Sequence, residues 1–315
     1  MPPRIRTADS RDAAAWRVAV CAALVLAVPG VARSQPCTLT TVGYNMLHGG
    51  MLSNLGGDRD ELDARLALAV RGMRALEPDF VGLQEASAGP GRGDLAARLG
   101  AALGLHHARA ASRFRFERIG SILRIEEGPA VLSRFPLRRT EAIPLEGCDD
   151  FYQRVLLCAS FATPCGPLEA CSTHVDGRPC QARRLAVALA RRATSIPRLL
   201  FGDLNATEDT PGLRKLRALG FVDTFRALHA RAPGLTVWQN PASPAPTVRR
   251  RVDYVLVAPG AGRRVEVLES RVVLDRPGHA ADGTALWPSD HYGVLARVAL
   301  ADEPAKSGGS RHAPR

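Results

Sequence analysis

Eight polar side chains that could do chemistry stand where short apolar runs of the sequence begin or end. The first five follow the C-terminal ends of predicted strands, and the last three precede or begin theirs. If the second set of strands runs antiparallel to the first, all eight side chains reach one rim, where strand ends position loop residues rigidly. They are Asn45, Glu85, His174, Asp203, Asn205, Asp253, Asp290 and His291.

The chemistry of this set is that of a metal site beside proton-transferring groups. Carboxylates crowded on a basic protein repel one another unless a cation lies among them. Carboxylate and amide oxygens suit Mg²⁺, which also binds waters and substrate phosphate oxygens. Zinc prefers histidine and cysteine, and the chain has no His-Glu-x-x-His motif. Two histidines add proton transfer near neutral pH and stabilise negative charge on a phosphate. The set therefore predicts metal-assisted hydrolysis of a phosphoester.

Each residue also has an ordinary structural interpretation. Asparagine is common where a strand turns, so Asn45 could be a turn residue. The carboxylates could be solvated strand ends, and Asp253 could pair with Arg251. His291 could be a structural histidine with satisfied hydrogen bonds. These interpretations leave the shared placement of the whole set unexplained.

The hydrophobic pattern indicates the elements that must position these side chains. Two segments have the same order of features: a predicted helix, a proline, a short buried strand and then a carboxylate. The carboxylate is Glu85 in the first segment and Asp203 in the second. Alternating strands and helices with one hairpin predict a mixed α/β sandwich. The predicted helices cover 61–76, 94–103, 181–193 and 211–219. The predicted strands cover 38–44, 80–83, 130–132, 155–161, 168–173, 198–201, 253–257, 265–270 and 292–300.

Eight short sequence segments, taken together and in their order along the chain, resemble the endonuclease/exonuclease/phosphatase superfamily over about residues 38–300. The family is similar to pancreatic deoxyribonuclease in fold, which implies a four-layer α/β sandwich of two mixed β-sheets packed face to face and flanked by helices. The resemblance also implies in-line attack of water on phosphorus. The matching segments are VGYNMLHG, PDFVGLQEAS, GPAVLSRFPL, QRVLLCASF, CSTHVDG, LLFGDLNA, RRVDYVLV and SDHYGV.

The resemblance implies a role for each site residue. Glu85 is the principal Mg²⁺ ligand, helped by Asn45 and Asp290, with Mn²⁺ or Ca²⁺ as alternative ions. Asp203 orients or deprotonates the attacking water, and Asn205 holds a phosphate oxygen.

The remaining implied roles concern the histidines and their partners. His291 is oriented by Asp253 and acts at the scissile phosphate. His174 contacts the phosphate and assists the leaving oxygen, Glu127 orients His174, and Arg154 binds substrate. Family members differ in their general base, so Asp203 and His291 both remain candidates for it. No covalent intermediate is expected, because neither Gly-x-Ser-x-Gly nor a Cys/His signature marks a nucleophile.

The N-terminal segment is typical of an export signal. Arginines precede the apolar run 18–28, and Ala32-Arg33-Ser34 supplies small residues at a cleavage site. We expect a cleaved signal over 1–34, a catalytic domain over 35–300, a disordered tail over 301–315, and a secreted or periplasmic location. An uncleaved anchor is the alternative, although no apolar stretch reaches the roughly 18 residues that a membrane span needs.

Cysteine usage agrees with export. Beyond residue 34 six cysteines remain, an even number with no Cys-x-x-Cys spacing, so some disulfides are expected in an oxidising compartment. Five of the six lie between 148 and 180, which predicts a locally cross-linked segment. Cys158 and Cys171 lie in strand-like runs, where buried reduced thiols are the alternative.

The positive charge favours a polyanionic substrate. The formal net charge is +11, and removal of residues 1–34 leaves 37 basic and 29 acidic residues, a net charge of +8. Nucleic acid is therefore favoured over a lipid headgroup, and aromatic residues, at 5%, give no sign of a membrane-inserting hairpin. A sphingomyelinase or phospholipase-C-like activity, a small-phosphoester hydrolase and an inactive binding module are the alternatives. The inactive module requires the loss of a metal or histidine position, and none is lost. A monomer is expected.

Overall fold

Two six-stranded sheets dominate the computed structural model, which describes residues 37–47, 61–114, 126–148, 152–192 and 195–303. The helices are α1 (Leu62–Arg74), α2 (Leu95–Leu103), α3 (Pro179–Arg191), α4 (Pro211–Ala218) and α5 (Thr224–Leu228). The strands are β1 (Cys37–Asn45), β2 (Phe80–Gln84), β3 (Ala88–Gly89), β4 (Gly93–Asp94), β5 (His106–Arg109), β6 (Arg113–Phe114), β7 (Ala130–Ser133), β8 (Leu137–Pro144), β9 (Tyr152–Gln153), β10 (Val155–Thr163), β11 (Gly166–His174), β12 (Arg198–Asp203), β13 (Val222–Asp223), β14 (Asp253–Ala258), β15 (Arg263–Val273), β16 (Gly278–His279), β17 (Ala285–Leu286) and β18 (Gly293–Asp302).

The two large sheets repeat one pattern of strand pairing. The first has the order β15-β18-β1-β2-β7-β5, and the second, read from its other edge, has the order β8-β10-β11-β12-β14-β13. In each sheet the two central strands are parallel, and every other neighbouring pair is antiparallel. The two similar segments identified in the sequence, each with a helix, a buried strand and a carboxylate, supply one central strand to each sheet. These strands are β2 in the first sheet and β12 in the second.

Three hydrophobic layers separate four structural layers, which confirms the predicted sandwich. Residues from both sheets, Phe80 and Phe201 among them, fill the layer between the sheets. Helices α1 and α2 cover the outer face of the first sheet, and α3 and α4 cover that of the second. The sheets approach closely at Gly82, where an added Cβ would lie 2.0 Å from Cγ of Phe201. Only glycine fits there, since such a contact lies far inside van der Waals distance.

Local sequence explains where the helices begin. Asp94 caps α2, because its carboxylate accepts a hydrogen bond from the backbone N–H of Ala97 at 3.0 Å. Helices α3 and α4 begin with Pro179 and Pro211, whose fixed φ suits the first helical turn. For α3 this places the start two residues before the predicted one. Within the described ranges, no helix is both long and apolar enough to cross a membrane.

Three strands of the large sheets were absent from the sequence-based prediction, namely β5, β8 and the two-residue edge strand β13. Strand β8 carries charged residues in an exposed, alternating pattern typical of an edge strand, and its charges hide it from a search for apolar runs. Strand β5 is a short edge strand that begins with two exposed histidines. The final strand continues to Asp302, two residues past the predicted domain end. The predicted export signal lies outside the described residues, as does most of the predicted tail.

All six cysteines that follow the predicted signal are joined in disulfides. Cys37 on β1 is bonded to Cys165, which lies between β10 and β11, so this bridge ties the first sheet to the second. The other two bridges, Cys148–Cys180 and Cys158–Cys171, lie within the segment predicted to be cross-linked. The alternative of reduced thiols at Cys158 and Cys171 is wrong, because their directly opposed positions on β10 and β11 bring the sulfur atoms together.

Candidate active site

Strand register brings the predicted residues to one end of both sheets. On the second sheet, Asp203 is paired with His174 across a parallel pair and with Asp253 across an antiparallel pair. On the first sheet, Asn45 ends β1 beside the end of β2, and Glu85 follows directly. Strands β14 and β18 run antiparallel to their neighbours β12 and β1, so residues at their beginnings meet residues at the ends of the others.

The best-defined contact of the site joins Asp253 to His291. Nδ1 of the imidazole lies 2.9 Å and 3.2 Å from the two carboxylate oxygens of Asp253, and both side chains are buried. Burial alone would lower the pKa of His291, but the charges of Asp253 and Asp203 and the hydrogen bond from Asp253 raise that pKa well above its usual value. Since Nδ1 faces the carboxylate, Nε2 is the ring atom left to face a substrate.

Asp203 is a buried carboxylate among other charged groups. Burial first, and then the negative charge of Asp253, raise its pKa to about 7. The charge of His291 and hydrogen bonds from the Asn45 amide and the backbone N–H of Asn205 work in the opposite direction without cancelling the rise. The carboxylate can therefore exchange a proton near neutral pH.

Asn45 links the carboxylates of the two sheets. Its Nδ2 donates to Oε1 of Glu85 at 3.1 Å and to Oδ2 of Asp203 at 3.0 Å, while its Oδ1 accepts from the backbone N–H of Leu47. Ser289 holds the backbone of Asn45 by donating from Oγ to its carbonyl oxygen at 2.8 Å. This bridge fixes Glu85 and Asp203 on either side of one amide.

A second group of side chains surrounds His174. Asn205 Nδ2 lies 3.0 Å from Nε2 of His174 and also donates to the carbonyl of Val175. Arg154 Nη1 lies 3.3 Å from Nδ1 and donates to Oε1 of Glu127 at 2.8 Å. Single ligand atoms of Glu85, Glu127 and His174 all lie within 4.8 Å of one another. The predicted substrate-contacting residues thus form one connected group.

Two site residues have left-handed backbone conformations. Glu85 has φ of 53° and Asn205 has φ of 47°. Asparagine often adopts this conformation, whereas glutamate does so rarely, and such conformations persist where the surrounding structure determines them. Both residues come directly or nearly directly after a central strand, so this turn of the backbone sets the direction in which the side chain leaves the sheet.

The residues predicted to hold a divalent cation are suited to one. Burial raises the pKa of Asp290, the charge of His291 opposes that rise, and the negative charge of Glu85 adds to it. Two carboxylates that repel each other, beside the amide of Asn45, form an oxygen-rich set of the kind that Mg²⁺ binds. The Asn45 Oδ1 atom has a second lone pair beyond its bond to the Leu47 N–H.

Sequence reasoning did not single out Ser289, which directly precedes the predicted metal ligand Asp290 and lies beside His291. Besides its bond to Asn45, its Oγ accepts the backbone N–H of His291 at 3.1 Å and lies 3.3 Å from Oδ1 of Asp290. Its place in the SDHYGV segment was the available signal. The suggested pairing of Asp253 with Arg251 is wrong, because Arg251 binds Asp223 and Glu208.

Comparison with known proteins gives one family and many similar folds. The model of the Endonuclease/Exonuclease/phosphatase family matches residues 42–291. A search among curated proteins finds no match.

Three solved structures illustrate the similarity of fold. An endonuclease/exonuclease/phosphatase from Beutenbergia cavernae is 24% identical, with a TM-score of 0.63 over 85% of this chain and 73% of that one. D. rerio TDP2, complexed with a single-strand DNA product, is 16% identical, with a TM-score of 0.59 over 83% and 98% of the two chains. A mannosyl-6-phosphatase from Bacteroides thetaiotaomicron is 18% identical, with a TM-score of 0.63 over 82% and 99%.

Proposed function

The chain belongs to the endonuclease/exonuclease/phosphatase family, and on that premise we propose that it is an exported, Mg²⁺-dependent phosphodiesterase that cuts nucleic acid. Members of the family are metal-dependent phosphoric ester hydrolases, and this chain is an enzyme of that class. The observation that carries the proposal is the unbroken series of contacts from Asp253 through His291 and Asp203 to Asn45 and Glu85.

Glu85, Asn45 and Asp290 are the residues that would hold the cation. When bound, a divalent cation supplies positive charge that stabilises phosphoryl oxygens as negative charge develops on them. All three ligands lie at one end of the first sheet, at the ends of β1 and β2 and just before β18, so the pairing of these strands sets their spacing.

The proton of the attacking water goes to the pair formed by Asp203 and His291. Oδ2 of Asp203 lies 3.7 Å from Nε2 of His291, so a water between substrate and protein can reach both side chains and can pass its proton to whichever of the two is unprotonated. Asp253 holds the other nitrogen of the ring and thereby directs Nε2 toward the substrate side. The site therefore provides proton transfer without a covalent nucleophile.

The group around His174 would bind the phosphate and the leaving oxygen. The imidazole lies between Asn205 and Arg154, with Nε2 only 3.5 Å from Oδ2 of Asp203. Donors fixed in this way stabilise the transition state because they need no rearrangement when charge develops. Arg154 is held in turn by Glu127, so its guanidinium is oriented before substrate arrives.

Different observations support export and a nucleic acid substrate. Three disulfides in the described part of the chain fit an oxidising compartment. The net charge of +8 that remains after removal of the predicted signal favours a polyanion. A small phosphomonoester is the second candidate, because a fold relative with a TM-score of 0.63 is a mannosyl-6-phosphatase.

A substrate screen tests the proposal. Purified protein is assayed on plasmid DNA, RNA, sphingomyelin, mannose 6-phosphate and bis(p-nitrophenyl) phosphate, each with Mg²⁺, Mn²⁺, Ca²⁺ or EDTA. We expect Mg²⁺-dependent cleavage of nucleic acid that His291→Ala removes, which also excludes a contaminating nuclease. Turnover confined to sphingomyelin or to the sugar phosphate would contradict the nuclease assignment, and full activity in EDTA would contradict the metal requirement.

A further inference from the structure

Trp238 is an exposed aromatic side chain in an otherwise buried segment. It is 54% exposed, whereas its neighbours Val237 and Gln239 are each 2% exposed. Of the large hydrophobic side chains exposed in the described residues, it is the most exposed and the only aromatic one. A rigid backbone that turns a tryptophan toward solvent leaves a flat apolar surface available to a ligand.

The Trp238 backbone lies directly beside the candidate active site. Val237 forms an isolated β-bridge with His291, and the backbone N–H of Gln239 donates to the carbonyl of Asp290 at 2.8 Å. Trp238 therefore stands about one strand spacing, roughly 4.8 Å, from the segment that carries the catalytic histidine and a metal ligand. The indole is thus carried by a segment that is in direct backbone contact with both Asp290 and His291.

Arg250 adds a positive charge to this surface. Its Cζ atom lies 5.5 Å from the centroid of the Trp238 ring, within the range of a cation–π contact. Among the described residues, Arg250 forms no ion pair with an acidic side chain, whereas the adjacent Arg251 is buried and binds Asp223 and Glu208. The charge of Arg250 is therefore available to an anion, and that of Arg251 is neutralised within the fold.

The segment is held in place from several sides. Thr247 Oγ1 donates to the carbonyl of Trp238 at 2.8 Å, and the hydroxyl of Tyr292 donates to Oε1 of Gln239 at 2.8 Å. Val237 also pairs with Arg250 across an isolated bridge, which holds together the two backbone segments that carry the indole and the guanidinium. A ligand that stacks there meets a surface that needs little further ordering.

We propose that Trp238 and Arg250 form a base platform, on which an unpaired nucleobase next to the scissile phosphate stacks while Arg250 contacts the nucleic acid backbone. The inference rests on the proposed nuclease function and specifies its substrate as single-stranded or locally unpaired nucleic acid. Every nucleobase has a flat face, so stacking on one indole is tolerant of sequence. A membrane-inserting surface would need several apolar side chains together, and the other exposed large hydrophobic residues of the described chain lie outside residues 237–250.

Matched oligonucleotides with and without bases test the platform. A dT 12-mer and an abasic 12-mer carry the same phosphates, and binding is measured with Mg²⁺ in a His291→Ala background so that neither is cut. The platform predicts about tenfold tighter binding of the dT 12-mer, and Trp238→Ala should remove that difference while Trp238→Phe retains part of it. Leu268→Ala, which truncates another exposed side chain, should retain the full difference.

The role of Arg250 is tested by salt dependence. Arg250→Gln should weaken binding of both oligonucleotides equally and lower the slope of log affinity against log salt by about one, because one phosphate contact is lost. Arg264→Gln is the matched control, since Arg264 is exposed near the opposite end of β15 from the site. It should leave the slope unchanged.

The outcomes separate the platform from the nuclease proposal. If the wild-type enzyme cuts both oligonucleotides with equal kcat/KM and Trp238→Ala changes neither, the platform is wrong and the nuclease function stands. If the wild-type enzyme neither binds nor cuts nucleic acid with any of the metals, both proposals fail. If Trp238→Ala lowers binding to sphingomyelin vesicles and leaves oligonucleotide binding unchanged, Trp238 is a membrane contact and the platform is overturned.

Discussion

Asp253 and His291 form a hydrogen bond between the two sheets of the sandwich, with 2.9 Å between Oδ2 and Nδ1. Asp253 begins β14 of the second sheet, and His291 precedes β18 of the first. The contact is buried, and Asp203 lies on the far side of the imidazole. The relative position of the sheets thus determines the orientation of the proposed catalytic histidine.

Neutralising Asp253 should therefore disable His291. Asp253→Asn removes the charge that orients the ring and favours its protonated form, so we expect kcat/KM to fall by about 10²- to 10⁴-fold. His291→Ala should be similarly severe. The double variant should be little worse than either single one, because residues that act as a unit have non-additive effects. The measurement is a double-mutant cycle on kcat/KM.

Thermal unfolding of the same variants is the control for misfolding. Losses that multiply in the double variant, or an Asp253→Asn enzyme of nearly full activity, would show that the two residues act separately. The substrate is whichever phosphodiester the screen identifies.

Replacing Glu85 should abolish cation binding. Glu85→Gln keeps the size of the side chain and its position beside Asn45, but it removes one of the negative charges that attract a divalent cation. We expect activity to fall at least about 10²-fold, together with loss of the Mg²⁺ binding heat in calorimetry of the substrate-free protein. Glu126→Gln is the matched control, since Glu126 is adjacent to a site residue but forms a surface ion pair with Arg109. Unchanged Mg²⁺ binding by Glu85→Gln would remove Glu85 from the metal site.

The sequence predicts the central strands and the site residues on them for one physical reason. Buried strands are short apolar runs, and polar side chains at their ends are conspicuous, as at Asn45 and Asp203. The pairing of strands places those ends together. The prediction that all eight side chains meet at one rim required β14 and β18 to run antiparallel to their neighbours. The register of both strands agrees with that requirement.

What the sequence could not predict are features set by contacts between distant segments. The exposed edge strand β8 has no apolar run, and the partners of Cys37, Arg251 and Ser289 lie on other elements. The exposure of Trp238 likewise depends on the bridges that hold its neighbours. Composition alone treats a tryptophan as a core residue.

Removing the Cys37–Cys165 bridge should destabilise the sandwich more than removing Cys148–Cys180. The first closes a separation of 128 residues and links the sheets, whereas the second closes 32 residues. In the chain-entropy model the longer loop contributes about 4–5 kcal/mol, roughly 1 kcal/mol more than the shorter one. Paired Cys→Ala variants are compared by urea unfolding.

Activity at low temperature is the control for this comparison, because the Cys37–Cys165 bridge lies away from the site residues and its loss should leave kcat/KM unchanged. Equal losses of stability in the two paired variants would indicate that the bridges act through local contacts in the folded state instead of through chain entropy.

The raised pKa of Asp203 should appear as a pH dependence of stability in the metal-free protein. The folded pKa is about 7 and the ordinary value is 3.8, so between pH 4 and 7 the folded chain keeps a proton that the unfolded chain has lost. The free energy of unfolding must then fall as pH rises through this window, and the loss is complete above pH 7. Asp203→Asn, which cannot ionise, lacks this contribution.

Urea unfolding in EDTA at pH 4.5 and 6.5 should therefore show that the variant gains stability relative to the wild type at the higher pH. Because His291 titrates above this window, its own contribution changes little between the two measurements. A stability difference between variant and wild type that is the same at both pH values would show that Asp203 is already ionised in the folded protein, and a shift in the opposite direction would mean that its pKa is lowered.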